Sequence, residues 1–119
     1  MDLSLHNDLY CGGSNAYIEL IEDDISCETS HKVDFDRGTI LSWRGSALGT
    51  CLGKDFNGAK DGLYFKVRST SGDEFCPKSL TVSMDKGDLY ERTGLNDWVD
   101  QTKGYQKRVA PRISGIDQG

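Results

Sequence analysis

Apolar and polar residues alternate in several short stretches of the chain, and this pattern predicts β-strands. The clearest stretch is LYFKVRS at residues 63–69, where Leu63, Phe65 and Val67 alternate with Tyr64, Lys66 and Arg68. The same period recurs in residues 3–6, 16–21, 39–44 and 78–84. Residues 28–35 are polar and strand-like, as expected near an edge, and residues 88–92 close a predicted hairpin across 85–87. A period of two places alternate side chains on opposite faces of a sheet. Several short strands separated by turns predict an all-β fold, an antiparallel β-sandwich with Trp43 in its core.

Stretches rich in Gly, Asn and Asp separate these strands. Residues 7–15 and 54–62 are predicted loops on turn chemistry, and the segment 52–62 is long enough to suggest an insertion. No convincing amphipathic helix is present. Residues 105–119 lack any period and predict a loose tail, which leaves residues 1–104 as one sandwich domain.

The charge balance narrows the classes of partner. The formal net charge is −5, and acidic residues concentrate between positions 19 and 36. Nucleic acid is therefore not an expected partner, because phosphate binding needs a basic surface. No apolar run is long enough for a transmembrane segment. The first residues, MDLSLHNDLY, lack the basic and apolar regions of a signal peptide, so for a secreted protein we expect a signal that has been removed.

The four cysteines, Cys11, Cys27, Cys51 and Cys76, show no CxxC spacing and no zinc-finger spacing to a histidine. An even number of widely spaced cysteines in a small chain suggests two disulfides and an oxidising, extracellular compartment. Four reduced cysteines in a cytosolic protein remain the alternative.

Sequence motifs of catalysis are missing. Neither a G-x-S-x-G nucleophile motif nor a phosphate-binding Walker loop occurs. The two histidines lie in predicted polar positions without an evident nucleophile partner. We predict that the chain is not an enzyme.

The order of the short motifs resembles the PLAT/LH2 family, small β-sandwiches of lipoxygenases, lipases, polycystins and some bacterial toxins. The resemblance rests on LSLHNDLYCGGSNAYIEL at residues 3–20, FDRGTILSWRGSALG at 35–49, FKVRSTSGDEFCPKSLTV at 65–82 and LNDWVD at 95–100. It implies a PLAT-like antiparallel sandwich of about eight strands. The sequence departs from the family at GDEFCPKS, where a Trp and a Pro-Gly pattern are usual, in the 52–62 insertion and in its cysteines.

Strand direction in such a sandwich favours one set of disulfides. Successive antiparallel strands place their connections alternately at the two ends, which puts Cys11 and Cys76 at one end and Cys27 and Cys51 at the other. Bridged cysteines need Cα atoms within about 7 Å of each other. Among the three connectivities that four cysteines allow, Cys11–Cys76 and Cys27–Cys51 are therefore favoured.

The end predicted to hold Cys11 and Cys76 also gathers acids and amides on converging loops. They are Asn7, Asp8, Asn15, Asp34, Asp36, Asp73 and Glu74. Hard oxygen ligands suit Ca²⁺, and the resemblance implies that loops of this kind bind it. The strongest candidate ligands are Asp8, Asn15, Asp73 and Glu74. The alternative is that these residues only cap and bend turns.

Two aromatic residues, Tyr10 and Phe75, flank the cysteines at this end. The resemblance implies that they form a tip that contacts a membrane or partner. The competing interpretation is that both rings cover the Cys11–Cys76 bridge.

These features support one leading hypothesis and two alternatives. The first is a non-catalytic, secreted PLAT-like domain whose loops engage a membrane lipid surface or a protein partner, with Ca²⁺ as a candidate cofactor. The second is a secreted effector or defence protein that binds a protein target without lipid. The third is a carbohydrate-binding β-sandwich. The partner and the oligomeric state are not encoded in these patterns.

Overall fold

Two antiparallel sheets pack face to face and form the predicted β-sandwich. The computed structural model describes residues 1–7, 13–56, 63–70, 75–85, 87, 89–93, 95, 99 and 105–108, with backbone alone for 14 and 105–108. The strands are β1 (Asp2–Asn7), β2 (Gly13–Glu22), β3 (Ile25–Glu28), β4 (Lys32–Phe35), β5 (Ile40–Trp43), β6 (Leu63–Arg68), β7 (Pro77–Ser83), β8 (Leu89–Arg92) and β9 (Tyr105–Arg108), and a 3-10 segment, η1 (Gly45–Cys51), follows β5. The all-β prediction is confirmed.

The strand order shows how the chain crosses between layers. Sheet A has the order β5-β1-β7-β8, and sheet B has the order β3-β2-β6-β9 with β4 also paired to β2. Among the described strands, the chain changes sheet five times, between β1 and β2, β4 and β5, β5 and β6, β6 and β7, and β8 and β9. Each crossing lets the inward residues of both sheets fill one core.

The alternating pattern correctly identified the core faces. In β6 the residues Leu63, Phe65 and Val67 are buried, while the intervening side chains are half-buried on the outer face. Trp43 is fully buried as predicted. Phe56 is also fully buried although it lies in the predicted insertion, so this segment contributes a core aromatic as well as a surface connection.

Three predicted boundaries need correction. The loop predicted over residues 7–15 is shorter, since β1 ends at Asn7 and β2 begins at Gly13. Residues 28–35 were expected to form one strand, but the strand is broken between β3 and β4. The tail was expected to be loose from residue 105, but Tyr105–Arg108 pairs antiparallel with β6 and becomes the edge of sheet B. Residues 109–119 lie outside the described part of the chain.

The break between β3 and β4 occurs because the backbone changes hydrogen-bond partner. The N–H of Thr29 still donates to the carbonyl of Ile18 on β2, at 2.9 Å. One residue later, the N–H of Ser30 donates to the carbonyl of Ala47 in η1, at 3.0 Å. The indole N–H of Trp43 donates to the Ser30 carbonyl at 2.8 Å. Ser30 therefore ties sheet B to η1 and to the core of sheet A.

A disulfide reinforces this contact. Cys27 on β3 is bonded to Cys51 at the end of η1, with 4.9 Å between the Cα atoms. The Thr50 hydroxyl accepts a hydrogen bond from the N–H of Glu28 at 2.8 Å. The same hydroxyl donates a hydrogen bond to the Glu28 carbonyl at 3.2 Å. We call these contacts, with the Ser30–Ala47 hydrogen bond, the β3–η1 junction. They satisfy part of an edge that would otherwise be open to another strand.

Gly49 permits the close approach at the junction. Its φ of 59° and ψ of −129° interrupt the helical backbone of η1. A Cβ atom at this position would lie 2.6 Å from the carbonyl oxygen of Glu28, which belongs to the backbone of β3. Only glycine avoids both the left-handed strain and the overlap.

We predict that Gly49→Ala destabilises the fold more than Gly45→Ala does. Gly45 has a similar φ of 56°, but a Cβ there would meet nothing within 4 Å. Left-handed backbone strain alone should lower the free energy of unfolding by about 1 kcal/mol in Gly45→Ala. The added overlap should bring the loss in Gly49→Ala to about 3 kcal/mol. Urea denaturation of the oxidised proteins measures both losses in the free energy of unfolding. Equal losses would show that the backbone of the junction shifts to accommodate a Cβ at position 49 at little energetic cost.

Candidate functional site

The anchors of three predicted loops lie side by side at one end of the sandwich, which we call the top end. Asn7, before residues 8–12, is paired with Pro77 of β7. Gly13, after those residues, is paired with Phe35 at the end of β4. The N–H of Thr70, before residues 71–74, donates to the Asn15 side-chain oxygen at 3.0 Å. The fold thus brings together the chain on either side of the β1–β2, β4–β5 and β6–β7 connections.

Asn15 holds two of these connections together. Its side chain is 9% exposed. Its oxygen accepts the Thr70 N–H, so its Nδ2 is the donor toward Nδ1 of His31, 3.3 Å away. Asn15 therefore links β2 to the end of β6 and to the residue just beyond the break after β3. Of the four strongest candidate calcium ligands, Asn15 is the one that the structure describes, and its side-chain oxygen and nitrogen are both used in these hydrogen bonds.

The other predicted ligands, Asp8, Asp73 and Glu74, lie outside the described residues. Within the described part of the chain, no group of three or more His, Cys, Asp or Glu side chains could hold a metal ion. A calcium site built from residues 8, 73 and 74 stays a prediction.

Phe75 does not form an exposed tip. Its side chain is fully buried, and its ring meets that of Phe35 edge to face with 5.4 Å between centroids. Its backbone exchanges two hydrogen bonds with Val99, at 3.0 and 2.9 Å. The predicted membrane or partner contact is therefore wrong for Phe75, whose ring is part of the core. Tyr10, the other predicted contact, lies outside the described residues.

The Cys27–Cys51 disulfide is confirmed. Cys76 is also disulfide-bonded, directly beside the buried Phe75. Its predicted partner, Cys11, lies outside the described residues, so the Cys11–Cys76 pairing stays a prediction.

The outer face of sheet B carries an ordered polar array that the sequence pattern did not single out. The rings of Tyr17 and His31 are parallel, with 4.3 Å between centroids. Beside them Arg68 donates a hydrogen bond to the Glu19 carboxylate and forms an ion pair with it. Alternation placed Tyr17, Glu19 and Arg68 on outer faces, but only the register of β2 against β6 brings them together.

This array changes the acidity of Tyr17. Burial raises the pKa of its phenol, and the Glu19 and Glu28 carboxylates raise that pKa further, while Arg68 lowers it. A negative charge close to the phenol opposes formation of a second negative charge.

A polar cleft of about 290 Å³ opens beside this array, and its walls are Glu19, Ser26, Cys27, Glu28 and Thr50. It lies against the β3–η1 junction, since three of these residues take part in that junction. Glu19 and Glu28 are directly opposite each other on β2 and β3. Carboxylate and hydroxyl residues thus line one opening together with the disulfide-bonded Cys27.

Comparisons with known proteins add no family. No protein-family model matches the chain, and no curated protein matches it. The PLAT resemblance accordingly stays a prediction that rests on short motifs and on the sandwich. Within the described residues, no helix has the length and apolar character needed to cross a membrane.

We predict that Glu19→Gln lowers the pKa of Tyr17. The substitution removes a nearby negative charge and releases Arg68 to stabilise the phenolate. The ultraviolet absorbance of each protein is titrated with pH, and the titration of the same protein carrying Tyr17→Phe is subtracted. The difference reports the ionisation of the Tyr17 phenol. Glu91→Gln on β8 is the matched control and should leave the titration unchanged. A pKa unchanged or raised in Glu19→Gln would contradict the expectation.

The same shift gives a pH dependence of stability. The folded-state pKa is raised above the unfolded value of about 10, so above that pH the unfolded chain loses its proton first. Tyr17 therefore contributes stability that is present below pH about 10 and is lost as pH rises through the folded-state pKa. Urea midpoints measured between pH 8 and 11 should fall more in the wild type than in Tyr17→Phe.

Proposed function

We propose that this chain is a non-catalytic, extracellular binding domain of PLAT-like architecture that engages a partner through its top-end loops. The observation that carries the proposal is the convergence of loop anchors, in which Asn7 meets Pro77, Gly13 meets Phe35 and Asn15 holds Thr70. Loops that project from one end of a rigid sandwich are a common way to build a binding surface.

The Cys27–Cys51 disulfide supports the extracellular part of the proposal. Disulfides persist in oxidising compartments and are rare where glutathione keeps thiols reduced. A small sandwich gains stability from such a bridge, on the order of 3 kcal/mol in the chain-entropy account.

A protein partner fits the top end better than a membrane surface does. Insertion into a lipid interface needs exposed apolar rings, and Phe75 is buried against Phe35. The acidic residues Asp8, Asp73 and Glu74 and the net charge of −5 favour a partner with a basic surface. Calcium-dependent docking to anionic lipid is the second candidate, because the PLAT resemblance implies it and Ca²⁺ would offset the same carboxylates.

A thermal melt in the presence of calcium or of a chelator tests the loop chemistry. Calcium at one hundred times its Kd should stabilise the folded protein by about 2.7 kcal/mol. The double variant D73N/E74Q should lose that gain, whereas D23N/D24N should keep it because Asp23 and Asp24 form the turn between β2 and β3 at the opposite end. An unchanged melting temperature at millimolar calcium would remove calcium from the proposal.

Partner capture then separates the two candidates. In one assay, wild type, D73N/E74Q and D23N/D24N are immobilised and exposed to extracellular fluid. In a second assay, each protein in solution is sedimented with phosphatidylserine vesicles in the presence of calcium or of a chelator. A protein retained by wild type and D23N/D24N but lost with D73N/E74Q supports the protein partner. Calcium-dependent pelleting with the same variant pattern supports the membrane. Binding that all three proteins share would place the surface away from these loops.

A further inference from the structure

The Cys27–Cys51 bridge is asymmetrically placed with respect to solvent. Cys51 is fully buried, whereas Cys27 keeps 6% of its surface exposed and forms part of the wall of the polar cleft beside the junction. The remaining walls come from Glu19, Ser26, Glu28 and Thr50. A small nucleophile that enters the cleft therefore meets Cys27 first.

We propose that this cleft is a thiol–disulfide exchange site, in which Cys27 Sγ is the sulfur attacked and the cleft carboxylates select for cationic thiols over anionic ones. The inference is independent of the loop-binding function, since the cleft lies at the β3–η1 junction and shares no residue with the loops of the top end.

The selectivity comes from an imbalance of charge around the cleft. Glu19 is paired with Arg68, and Lys66 is directly opposite it on β6. Glu28 is exposed, and no described residue forms an ion pair with it. Arg68 and Lys66 are not among the walls of the cleft. Within the described residues, Glu28 therefore contributes about one negative charge to the walls that no ion pair offsets.

The exchange proceeds in two balanced steps. A thiolate attacks Cys27 Sγ and forms a mixed disulfide there, while the Cys27–Cys51 bond breaks and Cys51 leaves as a thiolate that takes a proton from water. A second thiolate then attacks the external sulfur of the mixed disulfide, which releases the oxidised small disulfide and the Cys27 thiolate. The co-reactant is a small thiol, and two molecules of it are oxidised for each bridge reduced.

The junction has contacts that outlast the bridge. The hydrogen bonds between Thr50 and Glu28 and between Ser30 and Ala47 involve neither sulfur, so cleavage of the bridge does not itself break them. The first step therefore needs no unfolding of η1. Because Cys51 stays beside Cys27 in the core, its thiolate can displace the small thiol again, which makes the mixed disulfide short-lived.

Reduction rates with cysteamine, mercaptoethanol and mercaptoethanesulfonate test the proposal. Their thiolates carry net charges of 0, −1 and −2, and they are compared at equal thiolate concentration. One exposed charge at about 6 Å should slow the Cys27–Cys51 reduction about threefold at each step of the series. Glu28→Gln should bring the three rates close together, and so should high salt. Glu91→Gln is the matched control and should leave the series unchanged.

Acid quenching and peptide mapping locate the attack and supply an internal reference. The trapped mixed disulfide should lie on Cys27, and the reduction of the bridge that contains Cys76 should not respond to Glu28→Gln. Three results would each overturn the proposal. They are a mixed disulfide on Cys51, a charge series that Glu28→Gln leaves intact, and a rate independent of thiol concentration, which would mean that reduction waits for global unfolding.

Discussion

The hydrogen bond from the Ser30 N–H to the Ala47 carbonyl is the contact around which this sandwich is organised. At this residue, between β3 and β4, pairing with β2 is interrupted and the backbone bonds to η1 instead. The Trp43 indole, from the core of sheet A, bonds to the same residue through its carbonyl. One backbone unit thereby couples both sheets and the 3-10 segment. The disulfide and Gly49 follow from that contact, because the close approach of η1 to β3 leaves no room for a Cβ and brings Cys51 beside Cys27.

This arrangement at the edge has consequences at the top end. Once the strand breaks after β3, His31 is free to stack on Tyr17 and to lie against Asn15. Asn15 in turn holds the Thr70 N–H. A buried amide with both of its polar atoms engaged is costly to move, because a displaced group would lose its hydrogen bonds inside a poorly solvated site. The position where β6 gives way to residues 71–74 is therefore coupled to the edge of the sheet through side-chain hydrogen bonds.

Alternation in the sequence was sufficient to predict the faces of β1, β2, β5, β6 and β7, since a period of two is a property of the strand itself. The alternation of strand direction, which places successive connections at opposite ends of the sandwich, was sufficient to predict the Cys27–Cys51 disulfide. The break after Glu28 was not predictable, because it depends on a partner, Ala47, that is distant in sequence. Phe75 was misjudged for a related reason. Its neighbours Asp73, Glu74 and Cys76 suggest a surface loop, while its burial is decided by Phe35 and by the pairing with Val99. β9 was not predicted because residues 105–108 show no alternation of apolar and polar residues, and the strand is defined by its pairing with β6.

The burial of Phe75 also changes what the segment before it can contribute to binding. Residues 71–74 enter from Thr70, which Asn15 holds, and they leave into a buried ring followed by a disulfide-bonded cysteine. Fixed anchors on both sides of a binding segment reduce the conformational entropy that is lost on binding, which favours the proposed use of residues 71–74. Under the proposed binding function, Asp73 and Glu74 are the charged residues through which this segment would meet a partner. Its affinity should then depend on charge and ionic strength more than on apolar contact area.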